Sequence, residues 1–242
     1  MKAEKQNPLQ QIRSIAGSNL LYLLIFIVLS ALLGRALFAG PLLPWRDLPD
    51  HLALISLLDH ARVAGSVAAD HYQLQWMPVP YWLFYGSVWF FACLLSWTQA
   101  IQVVAFLGMV ATPLALGHLL KILGRDPRWG LLAMPLFFNH NLMYGWVSYC
   151  LGIPVLFVTI AETIRRLEHQ ASFRPLAIWS CLLFLAHAQL ALFYAVIVVF
   201  LVLSSSHQRL ITRIKVLAVP LCVPVILGSP WVVARLIGQH HR

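Results

Sequence analysis

The chain has 242 residues, of which 60% are hydrophobic and only 10% charged, and it carries a net charge of +9. An ordinary soluble domain carries roughly a quarter charged residues, so this composition excludes a soluble enzyme and indicates an integral membrane protein. In a soluble chain the excess of Lys and Arg would suggest nucleic acid, but here membrane topology accounts for it and a nucleic-acid partner is set aside.

In chain order, the leader "MKAEKQNPLQQIRS" precedes an apolar run at 19–38. A signal peptide is considered, but the run's length and the weak cleavage site at "ALFAG" favour an uncleaved anchor. Further apolar segments fall at 80–97, 99–120, 129–139, 145–164, 175–204 and 215–237. About 20 helical residues span a bilayer core of roughly 30 Å, so the run at 175–204 is too long for one straight crossing. "AHAQ" at 186–189 interrupts it, and two shorter helices turning near His187 are expected. Pro220, Pro224 and Pro230 predict a kinked or broken last helix. Cys93, Cys150, Cys181 and Cys222 lie within apolar runs and read as buried small residues, not as a disulfide framework or a metal site.

Twelve of the seventeen Lys and Arg form four clusters: Lys2, Lys5 and Arg13; Lys121, Arg125 and Arg128; Arg165, Arg166 and Arg174; Arg209, Arg213 and Lys215. Basic residues near helix ends favour the cytoplasmic side. All four clusters share that side if the N-terminus is cytoplasmic and 80–97 is re-entrant or interfacial. Segments 129–139 and 145–164 then cross outward and inward, and 175–204 forms a hairpin. The expected fold is all-α, a polytopic transmembrane helical bundle in one domain, 1–242. It has a cytoplasmic leader (1–17) and an extracytoplasmic loop (39–79) carrying amphipathic juxtamembrane helices. The acidic loop, the stretch "FFNHNLMYG" at 137–145 and the His187 turn then fall on one non-cytoplasmic face.

These polar stretches supply the candidate site. Pro49 suits the first turn of a helix and Asp47 can cap it. Helical spacing puts Asp50 on the face of Leu54, Leu57, Leu58 and Ala61, so Asp50 is expected to point toward whatever that face docks on. Asp50 beside His51 can serve as a general base or bind a divalent cation; the plainer alternative is a solvated interfacial helix. Asn139 and His140, with Tyr144 and Tyr149, form either a polar turn or a site gripping sugar hydroxyls or phosphate oxygens. His187 and Gln189 are either satisfied core residues or ligand contacts. Arg35 either snorkels toward headgroups or meets an anionic lipid phosphate, and Glu162 is expected to pair with Arg165 or Arg166.

"DLPDHLA" at 47–53 resembles the opening of large bacterial membrane proteins built like the N-terminal half of GT-C type glycosyltransferases. "FFNHNLMYGWVSYCLGIPVLFVTIA" is similar to a second segment of theirs, with Asn139, Gly145, Tyr149 and Gly152 at matching places. The resemblance covers roughly residues 15–204. It implies a multi-pass protein of the bacterial inner membrane, the N-terminal part of a larger architecture. Such a protein moves a sugar from a polyprenyl-phosphate carrier to an extracytoplasmic acceptor. The catalytic role would then fall on Asp50 or Asp47, with His51 beside them and a possible divalent cation. Arg35, Asn139, His140, Tyr144 and His187 would bind substrate. The spacing Asp-x-x-Asp-His departs from the shorter acid pair common in that superfamily. A transporter, or a structural or assembly subunit among membrane lipids, is the competing expectation.

Overall fold

The computed structural model describes residues 8–40, 45–72, 78–169, 171–205 and 208–238, and among these there are helices and no strand. The protein is an all-α transmembrane bundle. Three stretches are long and apolar enough to cross a membrane: Asn19–Leu37, Trp97–Ile122 and Val147–His169. The residues 1–7, 41–44, 73–77 and 239–242, which include Lys2, Lys5 and parts of the leader and of the first loop, lie outside the described residues.

The first helix, α1 (Pro8–Leu37), begins within the segment read as the leader, with proline at a start position where its missing N–H costs nothing. Beyond it, Gln102 donates its side-chain amide to the Gly40 carbonyl at 2.7 Å and ties the start of the first loop to the bundle. The loop carries α2 (Leu48–His60) and α3 (Val67–His71). Next comes α4 (Trp82–Ala92), whose eleven residues reach only about 16 Å at 1.5 Å per residue. That is too short to cross, as the positive-inside solution for 80–97 requires.

Ser96 and Gln99 form a reciprocal capping box that starts α5 (Trp97–Ile122). The chain returns along α5 not as a straight helix but as a 3-10 turn (Pro127–Leu132) followed by α6 (Ala133–Leu136) and α7 (His140–Tyr144). The crossing expected at 129–139 is therefore a broken return. It survives because α5 covers it. A Cβ on Gly130 would lie 2.7 Å from the Gly117 nitrogen, one on Gly117 would lie 2.8 Å from the Pro127 carbonyl oxygen, and Phe137 lies beside Gly108. Irregular backbone at membrane depth is tolerated only where protein buries it, and these glycines let the two backbones touch.

Helix α8 (Val147–His169) then runs parallel to α5: Gly108 approaches Leu151, and farther along both helices His118 lies 3.8 Å from Glu162. Glu162 is buried and accepts from Arg165 at 2.8 Å. The last three helices are α9 (Phe173–Ala186), α10 (Ala188–Ser204) and α11 (Leu210–Gly238). His187 is extended (φ −164°, ψ 123°) and separates α9 from α10, where the sequence predicts the turn. Tyr194 on α10 shares a 2.7 Å hydrogen bond with Thr163 on α8. In lipid the hydrophobic effect gives no drive for helix association, so close packing of small residues and such interhelical bonds, each about 1 kcal/mol, hold the bundle.

Two expectations are corrected. Of the kink or break expected in the last helix, the break does not occur: the helix is continuous through its prolines, since a lost backbone hydrogen bond does not by itself end a helix in a membrane bundle. All four cysteines are free, but Cys93 and Cys222 are exposed, not buried. The described basic clusters gather where α5 and α8 end, at the end of the bundle opposite α2. Arg213 bonds the Val202 carbonyl there at 3.0 Å.

Gly130→Ala is expected to destabilise the protein by about 1–3 kcal/mol through overpacking against backbone that cannot yield. Gly86→Ala, whose Cβ would meet nothing within 4 Å, should be neutral or stabilising. Thermal unfolding of the two purified variants decides, and equal melting temperatures would contradict the close-approach account.

Candidate functional site

The site begins with a backbone junction. The amide groups of Arg46 and Asp47 donate to the carbonyls of Met143 (3.3 Å) and Tyr144 (3.0 Å), laying the first loop against α7. Gly145 follows with φ 93°, a left-handed conformation that ends α7, and a Cβ there would come within 3.0 Å of the Asp47 nitrogen. Glycine alone meets both demands. The Gly145 carbonyl then accepts a hydrogen bond from His51 Nε2 at 3.0 Å, while His51 Nδ1 lies 2.9 Å from the Tyr85 hydroxyl.

This arrangement sets proton positions. A carbonyl only accepts, so His51 carries its proton on Nε2; in the neutral ring Nδ1 is then an acceptor and Tyr85 donates to it. Burial lowers the His51 pKa below the ordinary 6.5, opposed by the Gly145 bond and by the charges of Asp47 and Asp50. Phe84 presents its ring edge to the imidazole at 5.2 Å.

The docked face of α2 differs from the one expected. Leu48 and Ile55 are buried and His51 faces the bundle, whereas Asp50 is exposed and Leu54 is 42% exposed. The partners of His51 on Gly145 and Tyr85 select a stripe one residue over from the stripe read from leucine spacing. Asp50 therefore does not point toward the docked surface. Asp47 occupies the cap position of α2, and its side chain bonds no helix N–H; the carboxylate instead accepts from the Trp146 indole at 3.2 Å.

A cavity of about 390 Å³ opens at this junction. Asp47, His51, Tyr85 and Trp146 line it together with Tyr81, Ser148, His187 and Gln189. The recess exists because α9 and α10 are short: at roughly 21 and 26 Å they fall below a full crossing. Their junction at His187 and Leu190 packs against Gly152, more than a turn down α8. His187 is 9% exposed, and the rings of Tyr81 and Tyr149 pack T-shaped with it at centroid distances of 5.0 and 5.3 Å. Neither of its ring nitrogens has a hydrogen-bond partner among the described residues, and Nδ1 is wholly buried. Tyr81 is the one non-glycine with positive φ among the described residues (75°). Holding it there costs about 1–3 kcal/mol, a strain typical of functional sites.

The other candidates lie elsewhere. Arg35 is exposed at the last turn of α1. Asn139 caps α7 by accepting from the Leu142 amide and donating to the Leu136 carbonyl, both at 3.2 Å, so its role is the polar turn. His140 is exposed with its ring 4.3 Å from that of Tyr144. Tyr144 lies outside the cavity and takes the Arg46 guanidinium over its face at 5.3 Å. Of the ten candidates, Asp47, His51, His187 and Gln189 line the cavity. Tyr81, Tyr85, Trp146 and Ser148 were not singled out as site residues; the two tyrosines, four apart in "PYWLFYG", were the legible signal, because that spacing puts both hydroxyls on one helix face.

A divalent cation does not fit. Among the described residues no three His, Cys, Asp or Glu side chains gather around a point. Both nitrogens of His51 are committed, and Trp146 occupies one oxygen of Asp47. Compared with known protein families, curated proteins and solved structures, the chain matches none. The class is thus defined by fold and cavity alone.

His51 predicts a pH dependence. Because its folded pKa lies below the unfolded 6.5, the unfolded chain binds a proton first as pH falls. Stability is therefore full above about 6.5 and declines as pH drops toward the folded value. Melting temperature should fall as pH drops below about 6.5, and His51→Gln, which does not titrate, should flatten that slope. An identical slope in the variant would refute it.

Proposed function

We propose that the protein is a membrane-embedded transferase that acts on a lipid-borne polar group. The reading follows the resemblance of its first loop: transfer of a sugar from a polyprenyl-phosphate carrier to an extracytoplasmic acceptor. The observation that carries it is the adjacency of two spaces. The polar cavity shares Tyr81 and Tyr85 with an apolar groove of about 250 Å³ between α2 and α4, lined also by Leu54, Leu58, Pro80 and Trp82. A head group fits the first and a hydrocarbon chain the second, as in sites that bury apolar ligand surface around a few placed polar groups.

In this mechanism Asp47, not Asp50, is the general base. Its free carboxylate oxygen takes the proton of an acceptor hydroxyl, the hydroxyl oxygen bonds to the anomeric carbon, and the bond from that carbon to the carrier phosphate breaks with its electron pair leaving on phosphate. Arg46, exposed beside Asp47 and resting on Tyr144, supplies positive charge near the departing phosphate. The cavity end faces outward and the basic end inward in the bacterial inner membrane, with the N-terminus cytoplasmic, in keeping with the positive-inside rule. Transport is disfavoured because the cavity lies at one end of the bundle, and transporter sites lie near the midplane.

Asp47→Asn should lower sugar transfer in reconstituted membranes by about 10²-fold or more, while Asp50→Asn retains it. Full transfer in Asp47→Asn would end the assignment. In a background without the native cysteines, a cysteine replacing His140 should react with an impermeant thiol reagent from outside, and one replacing Arg125 only after permeabilisation. The reverse pattern would invert the orientation.

A further inference from the structure

We propose that the head group held in the cavity bears a primary ammonium, so that the acceptor is an amphiphilic amine or amino alcohol. This rests on reading cavity and groove as one amphiphile site. The cavity is lined by one formal charge, the Asp47 carboxylate, and by no Lys or Arg. Around it stand the rings of Tyr81, Tyr85 and Trp146, and aromatic faces beside a carboxylate attract cations through the ring quadrupole. An anionic acceptor head group inside the cavity would meet the Asp47 charge with no cation in the lining to offset it; the donor's phosphate in the proposed transfer stands outside that lining, beside Arg46.

The hydrogen-bond directions make the choice narrower. Gly145 fixes the His51 proton on Nε2, so Tyr85 spends its own proton on Nδ1 and offers the cavity only oxygen lone pairs. The Trp146 indole proton is likewise committed to Asp47, whose other oxygen has no hydrogen-bond partner among the described residues. His187 is nine-tenths buried, lines the same space, and has no hydrogen-bond partner among the described residues, its Nδ1 being wholly buried. Carboxylate, phenol oxygen and imidazole nitrogen are acceptors, beside the hydroxyls of Tyr81 and Ser148 and the amide of Gln189, which can also donate, and of the groups that meet this set a primary ammonium alone brings three N–H donors together with the charge opposite to Asp47. A quaternary ammonium satisfies the aromatic rings but has no N–H for the acceptors. A neutral hydroxyl brings a donor but no charge.

The test is competition for the full-length protein in mild detergent, with bound amphiphile read by native mass spectrometry. The probes are sphinganine (primary ammonium), N,N,N-trimethylsphinganine, N-acetylsphinganine and sphinganine phosphate, followed by phosphatidylethanolamine against phosphatidylcholine and phosphatidylglycerol. Sphinganine should be retained roughly tenfold over its N-acetyl and trimethyl forms, the size of one charge-assisted hydrogen bond, and more strongly over its phosphate. Asp47→Asn, whose side-chain oxygen can still accept from Trp146, should bring the ammonium and N-acetyl forms to parity, as His187→Phe should in part. Retention of phosphatidylethanolamine would identify a bilayer lipid as the source, and retention of sphinganine without it a free long-chain amine; both support the ammonium. Equal retention of amine and N-acetyl forms by the wild-type protein, or preference for the phosphate or phosphatidylglycerol, would overturn it without need of any variant. Ammonium preference without sugar transfer would remove the transferase reading alone, and transfer without ammonium preference would remove this inference alone.

Discussion

The contact between Asp47 and Gly145 is the constraint on which the site depends. One left-handed glycine brings the backbone of the first loop against the end of α7 and turns its carbonyl toward His51. That bond sets the imidazole tautomer, which sets the direction of the Tyr85 hydroxyl, which decides what the cavity wall offers a ligand. A side chain at position 145 would undo the series at its first step, because strain and contact coincide there.

The cavity owes its volume to helix length. Neither α9 nor α10 is long enough for a full crossing, and their junction lies against Gly152, leaving space beneath α2 that α4 and α8 enclose. The same economy appears at the other end. There a broken return beside α5 takes the place of a full helix and is kept dry by glycines in direct backbone contact. Membrane bundles tolerate such irregularity only under cover of other helices.

Polar groups within the bundle divide by whether they are satisfied. Thr163 with Tyr194, and Glu162 with Arg165, are bonded and serve cohesion. His187 is unbonded and faces open space, and strained Tyr81 touches it. Unsatisfied polarity and strain at one place are the physical marks of a site kept for a ligand rather than for stability.

Much of the fold was legible in the residues themselves. Composition and apolar run lengths imposed helices in a bilayer, the distribution of Lys and Arg implied that 80–97 stops short of a crossing, and "AHAQ" marked the α9–α10 junction, because these follow from local solvation and chain length. The site was legible only in part. His51 and His187 stood out as polar residues in apolar surroundings, but leucine spacing on α2 pointed to Asp50, since periodicity ranks faces by apolarity and α2 docks through a histidine bonded to residues 34 and 94 positions away. Asp47 read as a cap because Trp146, its actual partner, is 99 residues distant. The sequence by itself thus determined the solvent, the helical class and the α9–α10 junction. Tertiary structure alone decided which acid enters the cavity and which atoms face a ligand, because those depend on hydrogen bonds between segments that only folding brings together.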